Sequence, residues 1–220
     1  MIPIILATIV VIASGVLHIL AEYNGRPWHV YLLKPLTTWT IILVAVLANP
    51  DIAETGQATL YQSLIIGGLV FSLAGDVFLM LPQDRFIPGL FSFLVAHLMY
   101  IAAFTGLSGL HNSNGWLFVP FLLLTVAMLA LLWKGLGKLR IYVVAYMLII
   151  STMGWQATEF WFRTGSTAAL LAMVGAIFFL LSDSLLAIER FRTKFAASSL
   201  LVLSTYYIGQ LLIAWSVIGS

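Results

Sequence analysis

Long apolar runs separated by short polar breaks dominate this sequence. A membrane span needs about 20 apolar residues, so the pattern predicts eight helices, at roughly 2–20, 30–48, 58–81, 88–107, 116–133, 140–158, 166–188 and 195–217. The breaks carry turn-forming residues, as at 24–27, 49–51, 111–115 and 164–166. The second span is the least regular, because Lys34 and Pro35 interrupt its first turn. Proline is tolerated near a helix start, and a lysine there reaches the lipid headgroups.

Composition narrows the class of protein. The 220 residues are 62% hydrophobic and 8% charged, with a mean hydropathy of +1.07, which excludes a soluble globular domain. We therefore expect an all-α, polytopic membrane helix bundle that forms one integral membrane domain over residues 1–220. The first run lacks a basic leader and is too long for a signal-peptide core, so we interpret it as a retained span. The absence of cysteine excludes disulfides and thiolate zinc sites.

The basic residues are distributed unevenly among the connections. Nine of the ten Lys and Arg residues fall in or beside the odd-numbered connections, and only Arg163 falls on the other side. By the positive-inside rule, the odd-numbered connections are cytoplasmic and both termini face the non-cytoplasmic side. Topology alone explains the basic tracts 134–140 and 190–194, so they indicate no nucleic-acid partner.

The two halves of the chain, about 1–110 and 111–220, look duplicated. A shift of 107 residues places Asp76 on Asp183 and Tyr100 on Tyr207 without a gap, and ten of the 35 positions from 70 to 104 are identical. Four helices per half is an even number, so the pattern predicts a parallel 4+4 repeat. A pseudo-two-fold axis along the membrane normal would place both aspartates at one depth.

Asp76 and Asp183 are the strongest functional signal, because each lies in an otherwise apolar span. An ionisable side chain inside a membrane is costly and usually marks a functional site. The alternative is that each carboxyl holds two helices together by a hydrogen bond. The spacing places both aspartates near the cytoplasmic ends of their spans, so we expect them to share one chemistry.

Other polar side chains gather on the same side. His97 and Tyr100 share one face of the fourth span and lie deeper than the aspartates, while Glu22 lies one turn after His18 at the end of the first. Together with Lys34 they suggest a cavity that admits a lipid headgroup. Each has a plainer interpretation, which is a core histidine for His97, a boundary pair for His18 and Glu22, and a phosphate anchor for Lys34.

One charged pair lies at the opposite side of the predicted bundle. Glu159 and Arg163 are four residues apart at the predicted outer boundary, and we interpret them as an interfacial pair.

The sequence shows no motif for a metal or a cofactor. The four histidines show no metal-binding spacing and no phosphate loop is present, so we expect neither a metal nor a cofactor.

Three segments resemble one family. They are YLLKPL at 31–36, GDVFLMLPQDRFIPGLFSFLVAHLMYIAAF at 75–104 and SDSLLAIERF at 182–191, and they are similar to the YhhN-like lysoplasmalogenases. The resemblance implies about eight spans and hydrolysis of the vinyl ether of a lysoplasmalogen. The products would be a fatty aldehyde and glycerophospho-ethanolamine or glycerophosphocholine. The resemblance also implies that the family's site corresponds to Lys34, Asp76, His97, Tyr100 and Asp183.

Two carboxyls suit this chemistry. Burial and a neighbouring carboxylate both favour the protonated form of one member of a pair, which would then act as general acid on the vinyl carbon. The ionised member would stabilise the oxocarbenium ion and orient water. Either aspartate fits either role. We expect His97, Tyr100 and Tyr207 to support the water or relay a proton, and Lys34 and Glu22 to meet the headgroup of the lysophospholipid.

A different class of function stays open. A proton-coupled lipid or small-molecule transporter would also place acidic residues in two related halves. Its charges should lie near the midplane with access to both faces, whereas here they crowd towards one leaflet. An intramembrane aspartyl protease fits less well, because Asp183 follows Leu-Leu-Ser rather than a G-x-G-D sequence. For localisation, we expect a multi-pass protein of the bacterial inner membrane. The sequence leaves protein partners undetermined.

Overall fold

The computed structural model describes residues 1–25, 27–48, 56–108 and 115–218. Eight α-helices follow one another along the chain: α1 Ile2–Tyr23, α2 Pro27–Leu47, α3 Gly56–Met80, α4 Phe86–Ser108, α5 Val119–Leu132, α6 Arg140–Thr164, α7 Thr167–Phe191 and α8 Ser198–Trp215. Short 3-10 turns at Gly115–Phe118 and Gly137–Leu139 precede α5 and α6.

The predicted class is confirmed. Eight helical segments within the described ranges are long and apolar enough to cross a membrane, and these ranges contain no strand. A helix satisfies its own backbone hydrogen bonds, which is why such runs fold this way in lipid. Arg26, the predicted break at 49–51 and positions 111–114 of the predicted break at 111–115 lie outside the described residues. The orientation of the termini stays a prediction.

Side-chain contacts gather the odd-numbered connections at one end of the bundle. The hydroxyl of Tyr23 donates to the carbonyl oxygen of Ala196 at 2.9 Å, which joins the end of α1 to the α7–α8 connection. Arg190 pairs with Asp84 at 2.6 Å and joins the α3–α4 connection to the end of α7. We call this end, defined by residues 24–25, 81–85, 133–139 and 192–197, the basic end.

Pro35 lies in the third turn of α2, because this helix begins at Pro27 rather than near 30. The helix continues past it, and one side chain bonds to the backbone beside it. The Oγ1 atom of Thr37 donates to the carbonyl oxygen of Leu33 at 2.8 Å. Lys34 therefore also lies in the third turn of α2 rather than in its first turn as predicted.

The α6–α7 connection is a tight turn with a cap on each side. Gly165 has a φ of +60°, a conformation that favours glycine at a helix end. Ser166 then caps α7 by accepting a hydrogen bond from the amide of Ala169. Because α6 extends to Thr164, the predicted pair of Glu159 and Arg163 lies within its last turns, with 3.3 Å between Oε2 and Nε and with Glu159 only 1% exposed. The placement of this pair at the membrane boundary stays a prediction.

The most extensive helix pairs are α3 with α4 and α7 with α8. The second of these depends on glycine: a Cβ at Gly175 would lie 2.8 Å from the carbonyl oxygen of Gly209. Small residues let membrane helices approach this closely. Corresponding pairs recur in the two halves, since α2 packs on α3 and α8 while α6 packs on α7 and α4. The repeat itself stays a prediction.

Gly175→Leu is expected to lower the unfolding temperature of the detergent-solubilised protein, because the new side chain would meet the backbone of Gly209. Overpacking typically costs about 1–3 kcal/mol. Gly106→Leu is the matched control, since nothing lies within 4 Å of a Cβ built there. An equal shift in both variants, measured by thermal unfolding, would contradict the importance of this contact.

Candidate functional site

Asp76 lies on α3, four residues before the helix ends at Met80, and is only 2% exposed. Thr38 of α2 and Tyr206 of α8 each donate a hydrogen bond of 2.7 Å to its Oδ2 atom. The Nζ atom of Lys34 lies 3.5 Å from Oδ1. Two hydroxyl donors and one ammonium group are the partners that an ionised carboxylate requires.

A chain of hydrogen bonds extends from Asp76 deeper into the bundle. Tyr100 donates to Oε1 of Gln210 at 2.8 Å, and Nε2 of Gln210 donates to the hydroxyl oxygen of Tyr206 at 3.3 Å. Tyr206 completes the chain by donating to Asp76. Every donor points towards the carboxylate, so the bonds polarise one another in its favour.

A polar vestibule opens beside Lys34 at the basic end, and Glu22 and Tyr31 also line it. His18 joins this vestibule to α8. Its Nε2 atom lies 3.6 Å from Oε1 of Glu22, and its Nδ1 atom lies 2.8 Å from the hydroxyl of Tyr207. The vestibule thus presents one acidic and one basic side chain a short distance from Asp76.

Asp183 faces a second cavity, which we call the Asp183 cavity. It lies between α4, α5, α6 and α7, and most of its lining is aliphatic or aromatic, including Leu90, Leu124 and Ile150. The hydroxyl of Tyr146 donates to Oδ2 of Asp183. Within the described ranges this is the only hydrogen bond of the Asp183 side chain, and the side chain is partly exposed. The two aspartates therefore have different surroundings.

Aromatic rings lie between the two aspartates. Phe93, Phe179 and Tyr206 contact one another edge to face, with ring centroids 5.5–6.0 Å apart. His97 packs on Phe179 at 4.8 Å and on Tyr146 at 5.2 Å. The path of contacts from Asp76 to Asp183 thus runs through Tyr206, Phe179, His97 and Tyr146.

His97 is fully buried, and neither of its ring nitrogens has a hydrogen-bond partner among the described residues. Buried polar groups of this kind usually gain a bond from water or a ligand. The imidazole is thus free to hold a small polar molecule beside Tyr146.

The described part of the chain contains no cluster of three or more His, Cys, Asp or Glu residues able to hold a metal ion. The side chains described above offer carboxyl, hydroxyl, imidazole and ammonium groups. These groups transfer protons and bind phosphate.

Sequence comparison matches this chain to a known family. The family model described as the YhhN family matches residues 29–217, a range that includes Lys34, both aspartates and α8. This chain belongs to the YhhN family. The resemblance stated from the sequence is thereby confirmed.

Relatives of this YhhN-family chain are found in bacteria and animals. It is 30% identical over 212 residues to the uncharacterized membrane protein YhhN of Escherichia coli O157:H7, covering 94% of this chain and 96% of that protein. It is 36% identical over 161 residues to human lysoplasmalogenase TMEM86A, covering 71% of this chain and 65% of that protein. It is 35% identical over 161 residues to human lysoplasmalogenase TMEM86B, covering 73% and 66%. No solved structure matches the chain.

The residues predicted from the sequence fall into several groups in this YhhN-family structure. Lys34 and Asp76 form an ion pair, as a shared site requires. No hydrogen bond or ion pair joins Asp76 to Asp183 within the described ranges. Tyr207 belongs with His18 and Glu22, on the vestibule side. The expected joint site is therefore two neighbouring compartments.

Four contributing residues were missed by the sequence reasoning: Thr38, Tyr146, Tyr206 and Gln210. A signal for the first two was present. Thr38 precedes Asp76 by 38 residues and Tyr146 precedes Asp183 by 37, so each half places a hydroxyl one helix before its aspartate. Gln210 lies one turn after Tyr206 on α8, which indicates a shared polar face.

Lys34→Met is expected to destabilise the protein by about 3–5 kcal/mol, because it leaves the buried Asp76 carboxylate without its cation. In the Asp76→Asn background the same change should cost much less. A double-mutant cycle on the free energy of unfolding in detergent measures this coupling. Lys138→Met, at an exposed position, is the control. Additive losses would contradict a coupled pair.

Proposed function

We propose that this protein is a membrane-embedded lysoplasmalogenase that hydrolyses the vinyl ether of a lysophospholipid. The observation that carries the proposal is the pair of intramembrane aspartates in a YhhN-family chain, one ion-paired and one facing an apolar cavity. The relatives named lysoplasmalogenases support the choice of substrate. The products are a fatty aldehyde and glycerophospho-ethanolamine or glycerophosphocholine.

Asp76 is the ionised member of the pair in this proposal. Its two hydroxyl donors and Lys34 stabilise a negative charge, and its burial leaves that charge little screened by water. A fixed anion lowers the energy of a cationic transition state in a low-dielectric site. Asp76 thus stabilises the oxocarbenium ion through the field of the site rather than by direct contact.

Asp183 is the general acid, because it has one hydroxyl donor and faces an apolar cavity without a cation. Its carboxyl group donates a proton to the outer vinyl carbon, and the π electrons form the new C–H bond. Water attacks the resulting oxocarbenium ion and returns a proton to Asp183. The hemiacetal then collapses, breaking the C–O bond to give aldehyde and alcohol with net consumption of one water.

Other side chains have supporting roles. His97 holds the attacking water, because its imidazole lies against Tyr146 and has free nitrogens within the described structure. Tyr100 stabilises the Asp76 anion through Gln210. Lys34 and Glu22 face the headgroup in the vestibule, where a phosphate and an amine would find opposite charges.

The distribution of basic residues supports a particular membrane orientation for this activity. We place the protein in a bacterial inner membrane with its basic end towards the cytoplasm, in keeping with the nine-to-one distribution of Lys and Arg. The vestibule and the Asp183 cavity would then receive substrate from the cytoplasmic leaflet.

The purified protein is expected to release aldehyde from a lysoplasmalogen but not from its saturated alkyl-ether analogue, which has no double bond to protonate. In D2O the aldehyde should carry one deuterium on the carbon next to the carbonyl, because Asp183 transfers a solvent-derived proton there. Mass spectrometry of the promptly reduced product measures this label.

Asp76→Asn and Asp183→Asn provide the comparison, and each is expected to lower the rate by at least about a hundredfold. This is the lower range for losing a general acid, as in Asp183→Asn, and for losing a group that stabilises transition-state charge, as in Asp76→Asn. Size-exclusion profiles and helical circular dichroism confirm that each variant is folded. Full activity in a folded Asp76→Asn, Asp183→Asn double variant would contradict the proposal. Absence of aldehyde together with proton-coupled flux in liposomes would favour the transporter.

Tyr146→Phe is expected to reduce kcat about tenfold with little change in KM, because it removes the hydroxyl that orients Asp183. Tyr61→Phe is a matched control, since that buried hydroxyl bonds to Ser216 instead. Steady-state kinetics of both variants test the role. A larger effect in Tyr61→Phe than in Tyr146→Phe would show that the loss reflects packing.

A further inference from the structure

The two predicted halves differ in how the first helix of each half packs. In the first half, α1 packs against both α2 and α8, and Trp215 of α8 donates to Thr8 of α1 at 3.1 Å. The corresponding helix of the second half, α5, packs against α6 and α7 but makes no comparable contact with α4 within the described ranges. The α1–α8 contact of the first half therefore has no equivalent between α4 and α5, and we call the position between these two helices the seam.

The Asp183 cavity lies behind this seam. Phe86, Leu90 and Phe93 of α4 line it from one side, and Leu124 and Thr125 of α5 line it from the other. Neighbouring positions point outward instead. Phe91 on α4 is 66% exposed and Leu123 on α5 is 64% exposed, as expected for side chains that face lipid tails.

The basic end of the same cavity is closed by a separate set of contacts. Phe86 and Phe191 meet edge to face with centroids 5.5 Å apart. The guanidinium of Arg190 lies 4.9 Å from the Phe86 ring and pairs with Asp84. These contacts cover the aqueous mouth of the cavity, so a hydrocarbon chain meets less obstruction from the bilayer side.

We propose that the seam between α4 and α5 is the lateral entrance through which the single hydrocarbon chain of a lysolipid passes from the bilayer into the Asp183 cavity. This rests on the proposed function for the identity of the lipid. Two features favour a hydrocarbon chain as the occupant. The cavity lining is aliphatic and aromatic around one carboxyl, and Phe91 and Leu123 on the outer face of the seam are exposed to lipid.

The dimensions of the cavity support a chain that is only partly enclosed. Along α6 the lining runs from Val143 to Ser151, a distance of about 12 Å at 1.5 Å per residue. The hydrocarbon leaflet is about 15 Å thick, half of a 30 Å core, so a chain that spans a leaflet exceeds the cavity. Its remainder extends through the seam into the membrane.

Occupancy is tested by cysteine labelling, which the natural absence of cysteine makes specific. In the Leu124→Cys variant, a saturated alkyl-ether lysolipid should slow reaction with a membrane-permeant maleimide about tenfold, a binding effect of about 1.4 kcal/mol. Leu123→Cys, on the exposed face of α5, is the matched control. Equal protection at both positions, or none at Leu124→Cys, would overturn the proposal.

The route is tested by closing the seam. A Phe91→Cys, Leu123→Cys double variant, joined across the outer face of the seam by a flexible bismaleimide, should lose about tenfold in hydrolysis of long-chain lysoplasmalogen in vesicles. It should retain hydrolysis of a short, water-soluble vinyl ether. The same variant treated with a monofunctional maleimide is the control. Equal losses on both substrates, or no loss on either, would exclude lateral entry.

The two proposals fail in distinguishable ways. The labelling experiment uses a lipid that cannot be hydrolysed, so it reports on the cavity even if the parent protein releases no aldehyde. Protection of Leu124→Cys without aldehyde release would retain the chain site and reject the hydrolase. Aldehyde release without protection would retain the hydrolase and reject the chain site.

Discussion

The burial of one carboxylate, Asp76, constrains the packing of three helices. An anion in an apolar bundle is tolerated only when hydrogen bonds and a cation replace its water. Here α2 supplies Lys34 and Thr38, and α8 supplies Tyr206. These helices must keep their relative positions for the charge to stay satisfied. The chain that continues through Gln210 to Tyr100 extends the same constraint to α4.

The two predicted halves give their aspartates different surroundings. Each receives a hydroxyl from the helix that precedes it in sequence, Thr38 for Asp76 and Tyr146 for Asp183. Only Asp76 also receives a cation and a tyrosine from α8. Asp183 instead faces a cavity from which charged partners are absent among the described lining residues. Two carboxyls in unlike environments are the usual basis for an acid paired with an anion.

Much of the fold was predictable, because hydropathy alone determines which runs enter a membrane. The ends of the helices were harder to predict. Helix α6 continues beyond its predicted end at 158, where Glu159 accepts a hydrogen bond from Trp155 and pairs with Arg163. Of the site, the pairing of Lys34 with Asp76 agrees with their predicted placement on one side. The contribution of Gln210 depends on how α8 packs against α4, which no local pattern in the sequence specifies.

The two ion pairs near the basic end differ in their exposure to solvent. Lys34 and Asp76 are 14% and 2% exposed, whereas Arg190 and Asp84 are 42% and 69% exposed. Dissolved ions screen exposed charges over about 8–10 Å at physiological ionic strength and reach buried ones poorly. Dissolved salt therefore weakens the Arg190–Asp84 pair more than the buried pair of Lys34 and Asp76. The protein combines a salt-sensitive rim with a salt-insensitive interior at the same end of the membrane.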